Sequence, residues 1–288
     1  MMRIRTMTPA DLETVLGWAR DEGWNPGLDD APAFLAADPE GFLLGEVDGA
    51  PVAAISVVRH APDVGFLGLY LCKPGWRGRG LGLALWREGM ARLEGARVGL
   101  DGVVAQQANY RRAGFELAHR NIRWAGRADP DRLAAAEGAR VVTATPDMTA
   151  ALIAWDAAIT GHARPRFLAA WLAPTPTRCA MVALGGDGAP CGYGAIRACA
   201  EGAKIGPLCA DAPAVAAALA RALLTGAPLK EARPGPVALD LPEPNGDAVA
   251  LAQALGLAPS FETARMWRGE APHEDIGRVF GVASFELG

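Results

Sequence analysis

A run of arginines and glycines stands at Arg77-Gly78-Arg79-Gly80-Leu81-Gly82, entered through Leu69-Tyr70-Leu71-Cys72-Lys73-Pro74-Gly75-Trp76 and left through Leu83. Glycine permits close backbone approach and positive φ. A strand running into such a loop exposes successive amide hydrogens. A helix opening at Leu81 adds its own unpaired N–H groups and its positive end. Together these groups suit phosphate oxygens. Arg77 and Arg79 add positive charge, and Gly78, Gly80 and Gly82 leave room beside the backbone. The segment therefore reads as a pyrophosphate cradle. A Walker loop is excluded because GxxxxGK[ST] is absent. A dinucleotide fingerprint is excluded because the glycine spacing differs and several elements precede the loop.

The loop in its context resembles the GCN5-related N-acetyltransferase (GNAT) family, whose R/Q-x-x-G-x-G/A loop binds the pyrophosphate of acetyl-CoA. Residues 77–82 match that pattern, and Cys72-Lys73-Pro74 matches the approach from strand to loop. The resemblance spans about residues 3–124. It implies a strand that splays from its neighbour, with Leu71 and Cys72 offering backbone groups to the pantetheine arm. Arg77 through Leu83 would hold the phosphates. Tyr110-Arg111-Arg112-Ala113-Gly114-Phe115 resembles the family's Y-x-x-x-G-[FY] segment, which implies Tyr110 as the general acid for the departing thiolate. An ordinary tyrosine pKa near ~10 keeps its proton in place at neutral pH; the plainer alternative is a packed tyrosine at a helix end. The implied reaction is direct attack by an amine on the thioester. Asp101, just beyond a flanking strand, is the first candidate to orient or deprotonate that amine, the alternative being a loop cap. Asp63 and Glu46 are weaker candidates. Trp24 and Asn25, between the first two helices, lie where the family covers the acceptor: Trp24 as an apolar wall, Asn25 as a hydrogen-bonding group, each with stabilisation of the loop as the alternative.

The elements that must position these residues can be read from the pattern. Thr8-Pro9 opens a helix with the apolar stripe Leu12, Val15, Leu16 and Ala19. Residues 41–47 and 52–59 form a hairpin about Asp48-Gly49. Strand 66–72 leads into the loop, and helix 81–94 follows it. A strand at 97–101, a short helix at 107–112 and a strand at 115–124 close the unit. Near residue 141 the same order restarts: helices at 146–159 and 167–172, strands at 180–184 and 191–198 about a glycine turn, strand 204–208, helix 212–224, strand 237–241 and helix 246–255. Residues 279–287 can add a strand. The fold class expected is mixed α/β. It comprises tandem GNAT-like domains at 1–126 and 139–288, joined by a connector at 127–138. Each is a largely antiparallel twisted sheet with a splayed central strand pair and flanking helices.

The second copy departs from the family. Lys204-Ile205-Gly206-Pro207-Leu208-Cys209-Ala210-Asp211 lacks the glycine grammar, and Pro207 removes an amide donor. Ala252 stands where the first copy has Tyr110. Asn245 matches the family's asparagine, where the first copy has Val103. The second copy is therefore expected to pack on the first and close its acceptor pocket, as a monomer with an internal pseudo-dimer.

Composition narrows the remaining classes. The 288 residues carry 28 Lys plus Arg against 32 Asp plus Glu, a formal charge of −4 that gives no nucleic-acid signature. Arginines 111, 112, 120 and 123 read as a solvated face. Five cysteines and four histidines show no metal-ligand spacing, so no metal is expected and a reducing, cytoplasmic setting fits. Neither a secretion signal nor a membrane span is evident. The function expected is acetyl-CoA-dependent N-acetylation of a primary amine on a small molecule. A protein or peptide acetyltransferase and a silent acyl-CoA-binding protein are the alternatives.

Overall fold

The computed structural model describes residues 2–133, 140–226 and 235–288; residues 134–138 of the expected connector lie outside them. The first half runs β1 (Arg3–Thr6), α1 (Pro9–Asp21), α2 (Asp30–Ala37), β2 (Phe42–Val47), β3 (Ala50–Ala61), β4 (Val64–Cys72), α3 (Leu81–Arg92), β5 (Arg97–Val103), α4 (Gln107–Arg112) and β6 (Glu116–Gly126). The second runs β7 (Arg140–Thr143), α5 (Thr149–Thr160), α6 (Pro165–Leu172), β8 (Arg178–Leu184), β9 (Pro190–Ala198), β10 (Ala203–Ala210), α7 (Pro213–Thr225), β11 (Val237–Pro242), α8 (Gly246–Ala254), β12 (Ala258–Arg268) and β13 (Val279–Gly281).

Local chemistry explains the starts and turns. Thr8 caps α1 and exchanges hydrogen bonds with Asp11 in a capping box, while Pro9 occupies the first turn. Asp48 and Gly49, both at positive φ, make the tight β2–β3 turn. Leu12, Val15, Leu16 and Ala19 of α1 are buried as their spacing requires.

The described strands form one sheet ordered β1-β2-β3-β4-β5-β12-β6-β11-β10-β9-β8-β7, with β13 beside β10. This order differs from a simple tandem. β6 pairs with β12 and β11 rather than β5, and β12 stands between β5 and β6. Each half thus receives the other's closing strand. Two buried ion pairs mark the exchange. Asp101 of β5 is the register partner of Arg265 on β12. Asp240 of β11 is likewise the register partner of Arg123 on β6. The pairs occupy corresponding places in the two copies.

Strand β12 was not expected from sequence. Its Pro259, together with Thr263 and Arg265 buried between the halves, hides the usual polar–apolar alternation. The expected strand at 279–287 is confined to Val279–Gly281. Among the described residues, no helix is long and apolar enough to cross a membrane.

Candidate active site

β4 and β5 run parallel and paired only from Val64–Leu67 against Arg97–Leu100. Beyond that point β4 continues to Cys72 and β5 to Val103 without pairing, so the strands splay. Leu69 sits at φ +43°, beside a register shift against β3. That irregularity turns the end of β4 away from β5. Lys73 donates its amide to Val52 on the β3 side. Strand alternation therefore turns the Cys72 peptide groups to the open edge, where its carbonyl accepts from Arg77 Nε at 2.8 Å.

The loop follows directly. Gly78 and Gly80 have φ of +75° and +78°, and a Cβ at either would meet nothing within 4 Å. Their role is conformational: left-handed backbone leads the chain into α3, with Gly80 as its cap. Leu71, Cys72, Arg77, Gly78, Gly80, Leu81, Gly82 and Leu83 line one open cleft of about 520 Å³. A strand edge, positive-φ glycines and a free helix N-terminus facing one cleft fit a pyrophosphate-bearing ligand. Arg79 is not in this lining; its guanidinium stacks on Trp76, 4.8 Å from the ring centre. Arg77 is tied to Glu22 as well as to Cys72, so it braces the loop from α1.

The cleft narrows inward to a cavity of about 70 Å³ and shares Trp24, Tyr70, Val103 and Gln106 with it. Tyr110 lines the inner cavity, its ring near Trp86 at 5.7 Å. A Cβ on Gly102 would stand 2.8 Å from the Tyr110 ring, so that glycine admits the tyrosine. Burial, and secondarily the nearby Tyr70, pushes the Tyr110 phenol above its ordinary value. Burial likewise pushes Tyr70 up to about 12. Both hydroxyls are therefore protonated at neutral pH.

Two expected site residues take other places. Asp101 reaches the cavity, but its carboxylate accepts from Arg265 Nε at 3.1 Å and Nη2 at 2.8 Å, and from Asn121 Nδ2 at 2.8 Å. It serves as the counter-ion of a buried arginine rather than as an open proton acceptor. Asn25 points to the second half: its amide donates to the Glu201 carbonyl at 2.8 Å and its oxygen accepts from the Glu201 amide at 3.2 Å. It fastens the α1–α2 loop instead of meeting an acceptor. Asp63 and Glu46 pair with Arg97 and Arg5. Trp24 does line both cleft and cavity. Its carbonyl accepts from Lys204 Nζ at 2.6 Å and Arg123 Nη1 at 3.1 Å. Burial lowers the Lys204 pKa to about 8, with Arg123 adding repulsion.

Sequence reading left Tyr70 out of the site and missed Gln106 on the first half. It also missed Arg123, Phe261, Thr263, Phe285 and Glu286, which complete the cavity wall. Arg123, expected on a solvated face, is buried and bound to both oxygens of Asp240 at 2.6 and 2.8 Å. One signal was available: Asp101 and Asp240, like Arg123 and Arg265, recur at nearly the duplication spacing.

A splayed parallel pair, a glycine-rich cradle at the following helix and a tyrosine at the narrow end define an acyl-CoA-dependent transferase, and the chain belongs to the GNAT acetyltransferase family. Residues 10–115 match the Acetyltransferase (GNAT) family model, and residues 152–281 match an Acetyltransferase (GNAT) domain model. Holothin acyltransferase of a Pseudoalteromonas species is 34% identical over 286 residues, covering 98% of this chain and 94% of that protein. An acetyltransferase-class crystal structure from Pyrococcus horikoshii aligns with a TM-score of 0.80 at 23% identity, covering 100% of this chain and 96% of the other. A tandem GNAT protein of the clavulanic acid pathway aligns at 0.65 and 19% identity, covering 94% and 99%. These two structures bear on the fold. The tandem GNAT architecture expected from sequence is thus present.

Proposed function

We propose that the first-half cleft binds acetyl-CoA and that the protein transfers its acetyl group to a primary amine of a small molecule. The observation carrying this reading is the cavity at the junction of the halves. It opens off the cleft beside Tyr110 and is closed by second-half side chains, a shape that suits a small acceptor better than a peptide strand. Acetyl-CoA supplies an acyl group activated as a thioester.

The chain's own residues do the rest. Backbone amides of 78–82 and the start of α3 hold the pyrophosphate, with Arg77 bracing the loop. Leu71 and Cys72 present the open strand edge. Tyr110 keeps a proton at its hydroxyl and donates it toward the leaving sulfur. Trp24, held by Lys204 and Arg123, walls the acceptor side and excludes water. The second half lacks the glycine loop and serves as that wall.

The test is CoA release across a chemically broad amine panel, alongside acetyl-CoA affinity. Holothin heads the panel because the 34%-identical relative is named for it. Acceptor-dependent release with small amines is expected. Binding without turnover would favour a silent acyl-CoA-binding protein. Absence of acetyl-CoA binding would remove the reading.

A further inference from the structure

The second half has its own strand divergence, and the chain itself fills it. β10 and β11 pair in parallel only from Ala203–Ile205 against Val237–Leu239. Into the gap beyond comes β13, with Leu208 opposite Gly281 and Cys209 opposite Val279. The Val282 amide then donates to the Asp240 carbonyl at 2.7 Å. Asn245 fastens this segment from α8, its amide nitrogen lying 3.0, 3.2 and 2.9 Å from the carbonyls of Ile276, Gly277 and Val279. The place corresponding to the first half's cleft is therefore occupied by backbone.

From that anchor the segment crosses into the first half. His60 donates from Nε2 to the Leu287 carbonyl at 2.8 Å. The Glu286 carbonyl lies against Gly68 of β4, where a Cβ would stand 2.1 Å from it. Phe285 and Glu286 thereby enter the cavity wall.

Two polar groups in that wall face the cavity. Thr263 is 1% exposed, and its hydroxyl oxygen has no hydrogen-bond partner among the described residues. Glu286 is 5% exposed and lines the cavity, where its carboxylate interacts electrostatically with Arg123 and Lys204. Arg123 and Lys204 supply positive charge near it, but their hydrogen bonds run elsewhere. Arg123 is bound to Asp240, Lys204 to the Trp24 carbonyl, and Asp101 to Arg265. Phe261 and Phe285, with ring centres 6.2 Å apart, and Trp24 make the surroundings largely apolar. A carboxylate beside two nearby cations, with an apolar wall around it, is suited to accept hydrogen bonds from a ligand's amino group.

We propose that Glu286 is the acceptor-binding residue. Its carboxylate receives the amino group of a small amine with an apolar body, which lies between the phenylalanines and Trp24, while the Thr263 hydroxyl takes a second polar contact. This rests on the reading of the cavity as the acceptor pocket.

The test compares the intact wild-type chain with Glu286→Gln. Calorimetry measures binding of butylamine and benzylamine against the matched alcohols, and of acetyl-CoA; thermal unfolding is recorded without ligand. In wild type, at least one amine should bind about tenfold or more tightly than its alcohol, the scale of a hydrogen bond to a charged group. Glu286→Gln should lose that preference, keep wild-type acetyl-CoA affinity and melt at the same or a higher temperature. Wild type without amine preference overturns the proposal. So does a Glu286→Gln chain that retains the preference. A variant that melts well below wild type also overturns it, because the carboxylate would then be a structural counter-ion for Arg123 and Lys204. Loss of acetyl-CoA binding in wild type would instead strike the functional reading itself.

Discussion

Tyr110 keeps its proton because burial disfavours the phenolate, and the residue lines the inner cavity. Tyr110→Phe removes the proton and little volume. Turnover should fall about 100-fold or more, the usual scale of general acid catalysis, with acetyl-CoA affinity unchanged. Steady-state kinetics with binding measured separately checks this; equal turnover would reject the role. Asp101 leads to the opposite expectation. Its two oxygens neutralise Arg265, so Asp101→Asn leaves a buried guanidinium without its ion partner. The variant should lose about 3 kcal/mol of stability in urea unfolding. A stable variant with abolished turnover would restore Asp101 as proton acceptor. Sequence reading named both residues, and only the cross-strand register separates their roles.

At the scale of elements, the β4–loop–α3 unit was legible because its requirements are local. Positive φ calls for glycine, a helix start leaves free amides, and a strand must end near Pro74. Gly80→Val forces a β-branched residue into left-handed backbone at the α3 cap. Acetyl-CoA affinity should drop about tenfold or more, from strain of ~1–3 kcal/mol. Circular dichroism should stay as in wild type, and unchanged affinity in a folded variant would place the phosphates elsewhere. The loop arginines were less legible. Arg77 braces against Glu22 and Arg79 stacks on Trp76, choices set by neighbours distant in sequence or by the loop's final shape.

At the scale of the molecule, exchange of β6 and β12 joins the halves into one sheet; His119 is buried along the join, while His60 and His162 are half-buried beside it. Burial is the main cause that lowers His60 to about 3, His162 to about 4 and His119 to about 3. His60 and His162 also lie close, their rings tilted by 43° with centres 5.8 Å apart, and would repel as cations. Unfolded, each titrates near ~6.5. Below that pH the unfolded chain binds protons that the folded chain refuses, so stability falls as pH drops from about 6.5 toward the folded values. Above that window these groups contribute no pH dependence. From pH 6.5 to 5 the loss is about 2 kcal/mol at most for the buried His119, and less for the half-buried His60 and His162. Urea midpoints at pH 7 and 5 check the sign, and an equal or higher midpoint at pH 5 would contradict the burial argument.

Sequence alone determined the family resemblance, the order of most elements, the glycine-rich loop proposed to hold phosphate and the weakness of the second copy's loop. All of these depend on residues adjacent along the chain or on a repeated pattern. The tertiary structure decided which strands pair across the halves, why Asp101 and Asn25 serve architecture, and how Phe285 and Glu286 reach a pocket whose other wall begins at Trp24. These depend on register and on contacts between residues more than a hundred positions apart. Side-chain periodicity records which face a residue presents, but not which strand will lie beside it.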